Sequence, residues 1–234
     1  MSDLTISDPV DGVVLVELNR PPGNLWTVEM CRRFTELLDA PPSGAHIVRL
    51  RSIGDAFSLG REREGSTPGQ LREEAGILTG LHRAQRRTAL VTVAEITGDA
   101  EGFGVGIAAG CDVAVATADV SFSFPEVNIG LAPAVVLAWL PRIVGERNAF
   151  WLTATGERIN ADRAMQLGLI NAVVPTLADL RADVDERIAQ LGKHKPRVHA
   201  EIKEMLRVFG ATTADQSLDI SVDRLVVGSL RRGE

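Results

Sequence analysis

No apolar run in this 234-residue chain approaches the roughly 20 residues that a membrane-spanning helix needs. The opening MSDLTISDPV also lacks the basic and apolar segments of a signal peptide, so a cytoplasmic protein with no membrane partner is expected. Cysteine is scarce. Cys31 and Cys111 stand far apart, the second inside an apolar run, which favours two buried thiols over a disulfide. Basic charge is in deficit, with 25 Lys and Arg against 31 Asp and Glu for a net charge of −6. Binders of phosphate backbones concentrate basic residues on one face, so no nucleic-acid partner is expected. His46, His82, His194 and His199 show no ligand spacing with cysteine or carboxylates; they read as solvated side chains, and no metal is expected. There is no G-x-S-x-G elbow and no base near Cys111, which disfavours covalent catalysis.

What is present suits one large domain, or one domain with an appendage: 45% of residues are apolar and 24% charged. GVVLVEL at 12–18 reads as a strand, and Val28, Met30, Cys31, Phe34, Leu37 and Leu38 then recur at helical spacing behind Thr27, a suitable N-cap. HIVRLRS and ALVTVAEI read as further strands. Between them, Leu71, Ala75, Leu78, Leu81 and Ala84 mark one face of a helix over 70–86, after a polar loop at 61–69. Alternating strands and helices argue an α/β core with crossover connections. Past residue 145 the pattern turns helical, at 146–155, 160–167, 177–192, 196–208 and 213–230, broken only by LINAVV.

The segment GDAEGFGVGIAAGCDVAVATADVSFSFPEVNIGLAP concentrates small residues and then delivers one acid, Glu126. A helix starting near Phe103 would present unpaired N–H groups able to hold an oxyanion or a phosphate; close helix packing is the other use of such glycines. A second bare turn, AFSLGRE, presents the N–H of Arg61 after Gly60, so two separate donors are available for an oxyanion hole. Glu126 lies among Phe122, Phe124, Val127 and Ile129. Desolvation there would raise its pKa and suit it to proton transfer; a surface carboxylate capping a short helix is the alternative. REREG at 61–65 reads as a solvated loop or a pocket mouth, and Lys193, Lys195 and Arg197 as phosphate contacts or a solvated helix start. A nicotinamide site rests on glycine richness alone, because Ile107 stands where G-x-G-x-x-G needs its third glycine and only Asp119 or Glu126 lies near the ribose-binding distance.

Taken in order, LNRP, AFSLG, the Gly-rich helix start, CDVAVATADVSFSFPEVNIGLAP and GERINADRAMQLGLINAVV resemble the enoyl-CoA hydratase/isomerase (crotonase) superfamily over nearly the whole chain. The resemblance implies a crotonase-like α/β spiral of β-β-α units over 1–175, with a C-terminal helical oligomerisation region over 176–234. It implies a homotrimer or dimer of trimers. It places oxyanion-hole N–H groups at Arg61 and Phe103, the acid/base at Glu126, and substrate-binding positions at Leu59, Gly60, Gly102, Gly104, Gly106 and Pro125. No separate cofactor is implied, coenzyme A being part of an acyl-CoA substrate; an acyl-carrier thioester is the other partner. The family's first catalytic glutamate would fall at Gly106, which has no side chain. Double-bond isomerisation by one base is therefore favoured over hydration, unless Glu62, Glu64 or Glu101 swings into the cavity. Dehydratases of polyketide β-branching share the FSFPEVNIGLAPA pattern, and a non-catalytic acyl-CoA binder is the reading of another class.

Overall fold

The computed structural model describes residues 3–231; residues 1–2 and 232–234, the outer ends of the two expected regions, lie outside the described residues. Among the described residues the chain forms ten strands and ten α-helices. It opens with β1 (Leu4–Ile6) and β2 (Val13–Leu18), whose alternating burial fits a strand with one face on the core. In α1 (Val28–Asp39) the Thr27 hydroxyl accepts the Met30 N–H at 3.1 Å, and the expected apolar stripe is buried.

After β3 (Ile47–Ser52) and β4 (Ala56–Ser58), α2 (Pro68–Arg87) begins earlier than expected because Thr67 and Gln70 form a capping box. Its inner stripe also departs from expectation. Glu74, Leu78, Leu81, Ala84 and Gln85 are buried, whereas Ala75 is exposed and Leu71 half-buried. The cause is electrostatic: Glu74 pairs with the Arg61 guanidinium and accepts the Gly65 N–H at 2.8 Å, which turns that carboxylate inward.

Next come β5 (Val91–Ile96), β6 (Asp99–Glu101), α3 (Phe103–Ala109), β7 (Val113–Thr117), β8 (Ser121–Ser123) and a 3-10 turn at Pro125–Ile129. They lead to α4 (Ala134–Leu137), α5 (Leu140–Val144), α6 (Glu146–Thr155), β9 (Ile159–Asn160), α7 (Ala161–Gln166) and β10 (Ala172–Val174). The helical stretch therefore begins before residue 145, with α4 and α5, whose four- and five-residue lengths give no readable period. Helices α8 (Leu177–Gly192), α9 (Pro196–Phe209) and α10 (Ala214–Leu230) follow.

The strands form two sheets, ordered β1-β2-β3-β5-β7-β10 and β4-β6-β8-β9. Pairs β3–β5 and β5–β7 in the first sheet are parallel, as are β4–β6 and β6–β8 in the second. Each pass of the chain thus adds a long strand to the first sheet and a short one to the second before a helical connection, which is the expected spiral. All six residues of β5 are buried, as a strand covered on both faces requires.

Helix α8 closes the outer face of the first sheet, where Leu180 and Val184 pack with Ile47, Val91, Val93 and Val115. Arg49 ties the same layer together through Glu95 at 2.8 Å and Asp185 at 2.6 Å. Helix α9 is anchored through Lys203, which donates to the Asp112 carboxylate and the Leu90 carbonyl, each at 2.6 Å. Neither α9 nor α10 has a buried residue, and Leu206 and Leu225 are about 70% exposed. Among the described residues no helix is long and apolar enough to cross a membrane.

Candidate active site

The second sheet brings the expected site residues to one edge. Because β4, β6 and β8 lie side by side and parallel, the segments leaving their carboxyl ends open on the same side of the sheet. Those segments carry Arg61, Phe103 and Glu126.

After β4, the Trp26 N–H donates to the Gly60 carbonyl at 3.0 Å, and the Glu62 N–H donates to the Trp26 carbonyl at 2.9 Å. Amides alternate in direction along extended chain, so the intervening Arg61 N–H points away from Trp26. Gly60, at φ 112°, makes the turn, and a Cβ there would face the Glu101 carbonyl oxygen at 3.6 Å. The turn therefore abuts the end of β6. Phe103 opens α3, where its N–H has no acceptor within the helix. Gly102 holds that helix start in place by donating to the Ser123 carbonyl at 2.9 Å.

The glycines of α3 divide by what they face. A Cβ on Gly104 would be driven into the Ser58 carbonyl, so this glycine lets α3 rest directly on β4. At Gly106 a Cβ would meet His82 Cε1 at 2.8 Å, His82 Nε2 at 3.2 Å and Trp139 Cζ2 at 3.3 Å. The side-chain directions at Gly104 and Gly106 are thus taken by protein, which leaves only backbone atoms at these two positions to meet a substrate. Leu59 packs against Gly23 and is 37% exposed, while Pro125 is half-buried beside Glu126.

Glu126 stands in the first turn of the 3-10 segment, with its carboxylate against Gly102: a Cβ on that glycine would lie 2.6 Å from Oε1. Its Oε2 is buried without a hydrogen-bond partner. Burial pushes the Glu126 pKa up, opposed by its own backbone N–H; Glu101 pushes it further up and Arg61 draws it down. The side chain is a half-buried carboxylate rather than a solvated cap.

The other acids considered from the sequence are turned elsewhere. Glu62 is paired with Arg20, Glu64 accepts the Val28 N–H at 2.7 Å, and Glu101 meets Arg158 at 2.9 Å. Arg61 reaches back to Glu74. The charged mouth at 61–65 is therefore a pinned loop. Cys31 and Cys111 have free thiols, both pushed up to about 12 chiefly by burial, which leaves them poor nucleophiles.

His82 departs most from its sequence reading as a solvated side chain. Its ring packs edge-on to Phe103 at 5.2 Å and lies 6.3 Å from Trp139, with Nε2 buried and unpartnered. The signal was its spacing: four residues after Leu78 and three before Gln85, it belongs to the inner stripe of α2. Burial pushes its pKa down to about 4, against a hydrogen bond to Gln85 that raises it. Between pH 6.5 and about 4 the unfolded chain binds a proton there that the folded chain does not, so this group lowers stability as pH falls through that window, by up to about 3 kcal/mol. Urea denaturation at pH 7 and 4.5 should show a smaller acid-induced loss in His82→Phe than in the wild type; equal losses would contradict this assignment.

With this geometry, the comparisons with known proteins point one way. A model of the family described as "Enoyl-CoA hydratase/isomerase" matches residues 9–224. Enoyl-CoA hydratase AKT6-1 of Alternaria alternata is 29% identical over 199 residues, covering 84% of this chain and 67% of that protein. The peroxisomal Delta(3,5)-Delta(2,4)-dienoyl-CoA isomerase of Arabidopsis thaliana is 29% identical over 178 residues, covering 76% of this chain and 64% of that protein. The crystal structure of an enoyl-CoA hydratase from Mycobacterium smegmatis superposes with a TM-score of 0.93 at 25% identity, covering 99% of this chain and 92% of that one. The fold is the crotonase-like spiral, and over nearly its full length this chain belongs to the enoyl-CoA hydratase/isomerase family.

Proposed function

We propose that this protein moves the double bond of an enoyl thioester, with Glu126 as the only acid/base. The Arg61 and Phe103 N–H groups hold the thioester oxygen. The Glu126 carboxylate removes a proton from the α carbon of a 3-enoyl thioester, and the electron pair spreads over an enolate whose oxygen meets the two donors. The same carboxylic acid then returns the proton to the γ carbon, giving the 2-enoyl thioester and regenerating the base. No separate cofactor enters this balance. Coenzyme A, or a carrier protein, arrives as part of the substrate.

The observation that carries this reading is the pairing of one half-buried carboxylate at Gly102, its Oε2 without a partner, with a glycine at position 106. Hydration uses two proton-transfer groups, one for water and one for the α carbon, and Glu62, Glu64 and Glu101 are all engaged away from that position. We assign 1–175 to the catalytic spiral and 176–234 to assembly as a homotrimer or dimer of trimers, supported by the exposed apolar side chains of α9 and α10.

The test follows the proton. A 3-enoyl-CoA deuterated at the α carbon is converted in ordinary water and the product analysed by mass and NMR. Deuterium carried to the γ carbon is the expected result, because one base both takes and returns it. A 3-hydroxyacyl product, or no migration with CoA or carrier-bound substrates, would overturn the reading.

A further inference from the structure

Four rings form an arc around the proposed site. Phe103 packs on His82 at 5.2 Å, His82 faces Trp139 at 6.3 Å, and Trp139 faces Phe124 at 6.3 Å, two residues before Glu126. The middle of the arc covers Gly106. There the imidazole and indole together fill the space that a side chain at 106 would occupy. His82 Nε2, Trp139 Nε1 and Glu126 Oε2 are all buried without hydrogen-bond partners. The two ring nitrogens at the middle of the arc are thus enclosed within the protein, and the rings form a closed wall over Gly106.

The position matters because of the helix. Gly106 lies three residues beyond Phe103, about 4.5 Å further along α3. A thioester whose oxygen meets the Phe103 N–H extends its α and β carbons over about that distance. Adding water to an enoyl thioester requires an oxygen beside the β carbon and a group to take its proton, while the α carbon receives a proton from elsewhere. The space that a side chain at 106 would use to hold such an oxygen is occupied by ring atoms.

Resting on the isomerase reading of the same site, we propose that His82, backed by Trp139, is the specificity-determining wall that excludes water from the β carbon and commits the enzyme to proton transfer between carbons. His82 acts here by its shape. The neutral imidazole carries no charge that would draw water in, and it transfers no proton itself. Its preferred substrates are unsaturated acyl thioesters without an oxygen on the β carbon.

The test reads a product ratio. Given crotonyl- and 3-enoyl-CoA thioesters in ¹⁸O-labelled water, the wild type is expected to give migration with only a trace of labelled 3-hydroxyacyl product. His82→Ala, which opens the wall, should raise the ratio of hydration to migration at least tenfold, and His82→Ala combined with Gly106→Glu should raise it further. His82→Phe keeps a flat ring and is expected to keep the wild-type ratio, whatever its absolute rate. A ratio unmoved in both alanine variants overturns the proposal, as does a His82→Phe variant that hydrates like His82→Ala.

A binding measurement covers the case in which the alanine variants do not fold. Wild-type protein should bind 3-hydroxybutyryl-CoA at least tenfold more weakly than crotonyl-CoA, and equal affinities would overturn the wall. The two readings fail separately. Migration that survives Glu126→Gln removes the single-base mechanism, whereas the ratios among the His82 variants and the binding preference judge the wall alone.

Discussion

Glu126→Gln is expected to lower kcat for double-bond migration about 10³-fold while KM stays within a few-fold. The amide has the size of the carboxylate and keeps its seat against Gly102, so the pocket and both N–H donors are undisturbed. What it loses is the ability to take a proton. The pH profile supplies an independent check on the same group. The base must be ionised, so kcat/KM falls as pH drops through the Glu126 pKa, and burial together with Glu101 sets that fall above the usual value of 4.5. Glu101→Gln removes one of the raising influences and should move the acid limb to lower pH. Because Glu101 is also paired with Arg158, the informative quantity is the midpoint of the limb rather than the rate. Migration at a wild-type rate in Glu126→Gln would show that another group is the base.

How legible this was follows from element length. Helices of ten or more residues announce themselves through a repeated apolar stripe, and α1, α6, α8, α9 and α10 stand within about two residues of their expected bounds. The strands of the second sheet run for two or three residues, too short for any alternation to be read. That sheet nevertheless positions every candidate site residue. The sequence pointed to Arg61, Phe103 and Glu126 through glycines and one flanked acid; it held no local sign that β4, β6 and β8 would carry them to a common edge.

His82 shows a different limit. It lies at helical spacing on the inner face of α2, where the expected Leu78, Leu81 and Ala84 are buried, but Leu71 and Ala75 drew the first turns of the expected stripe off the true one. The pairing of Glu74 with Arg61, which sets the true stripe, is a contact between the loop after β4 and α2. A tertiary ion pair of this kind leaves no periodic trace. For the same reason, the absence of an acid at Gly106 was visible while the rings that replace it were not, since His82 and Trp139 reach the spot from segments on either side in sequence.

The most damaging single methyl group should be the one added by Gly102→Ala, with kcat/KM expected to fall at least about 10³-fold and stability by about 1 to 3 kcal/mol. Gly102 adopts φ 49° and ψ −113°, a backbone conformation that residues with a Cβ avoid. The added carbon would also lie 2.6 Å from Glu126 Oε1. One of two adjustments must follow. If the carboxylate swings away, the base leaves the α carbon; if the backbone rotates instead, the peptide joining Gly102 to Phe103 turns and carries the Phe103 N–H off the thioester oxygen. Loss of one such donor alone costs about 10² to 10³ in rate, and loss of the base is of similar or larger size. Gly44→Ala separates backbone strain from damage to the site. Gly44 has φ 83° with nothing within 4 Å of the place a methyl would take, and it lies in the connection between α1 and β3. Both variants should lower the urea midpoint, but only Gly102→Ala should lose turnover. Equal losses of kcat/KM in the two would mean that the close approach of Gly102 to Glu126 serves folding rather than chemistry.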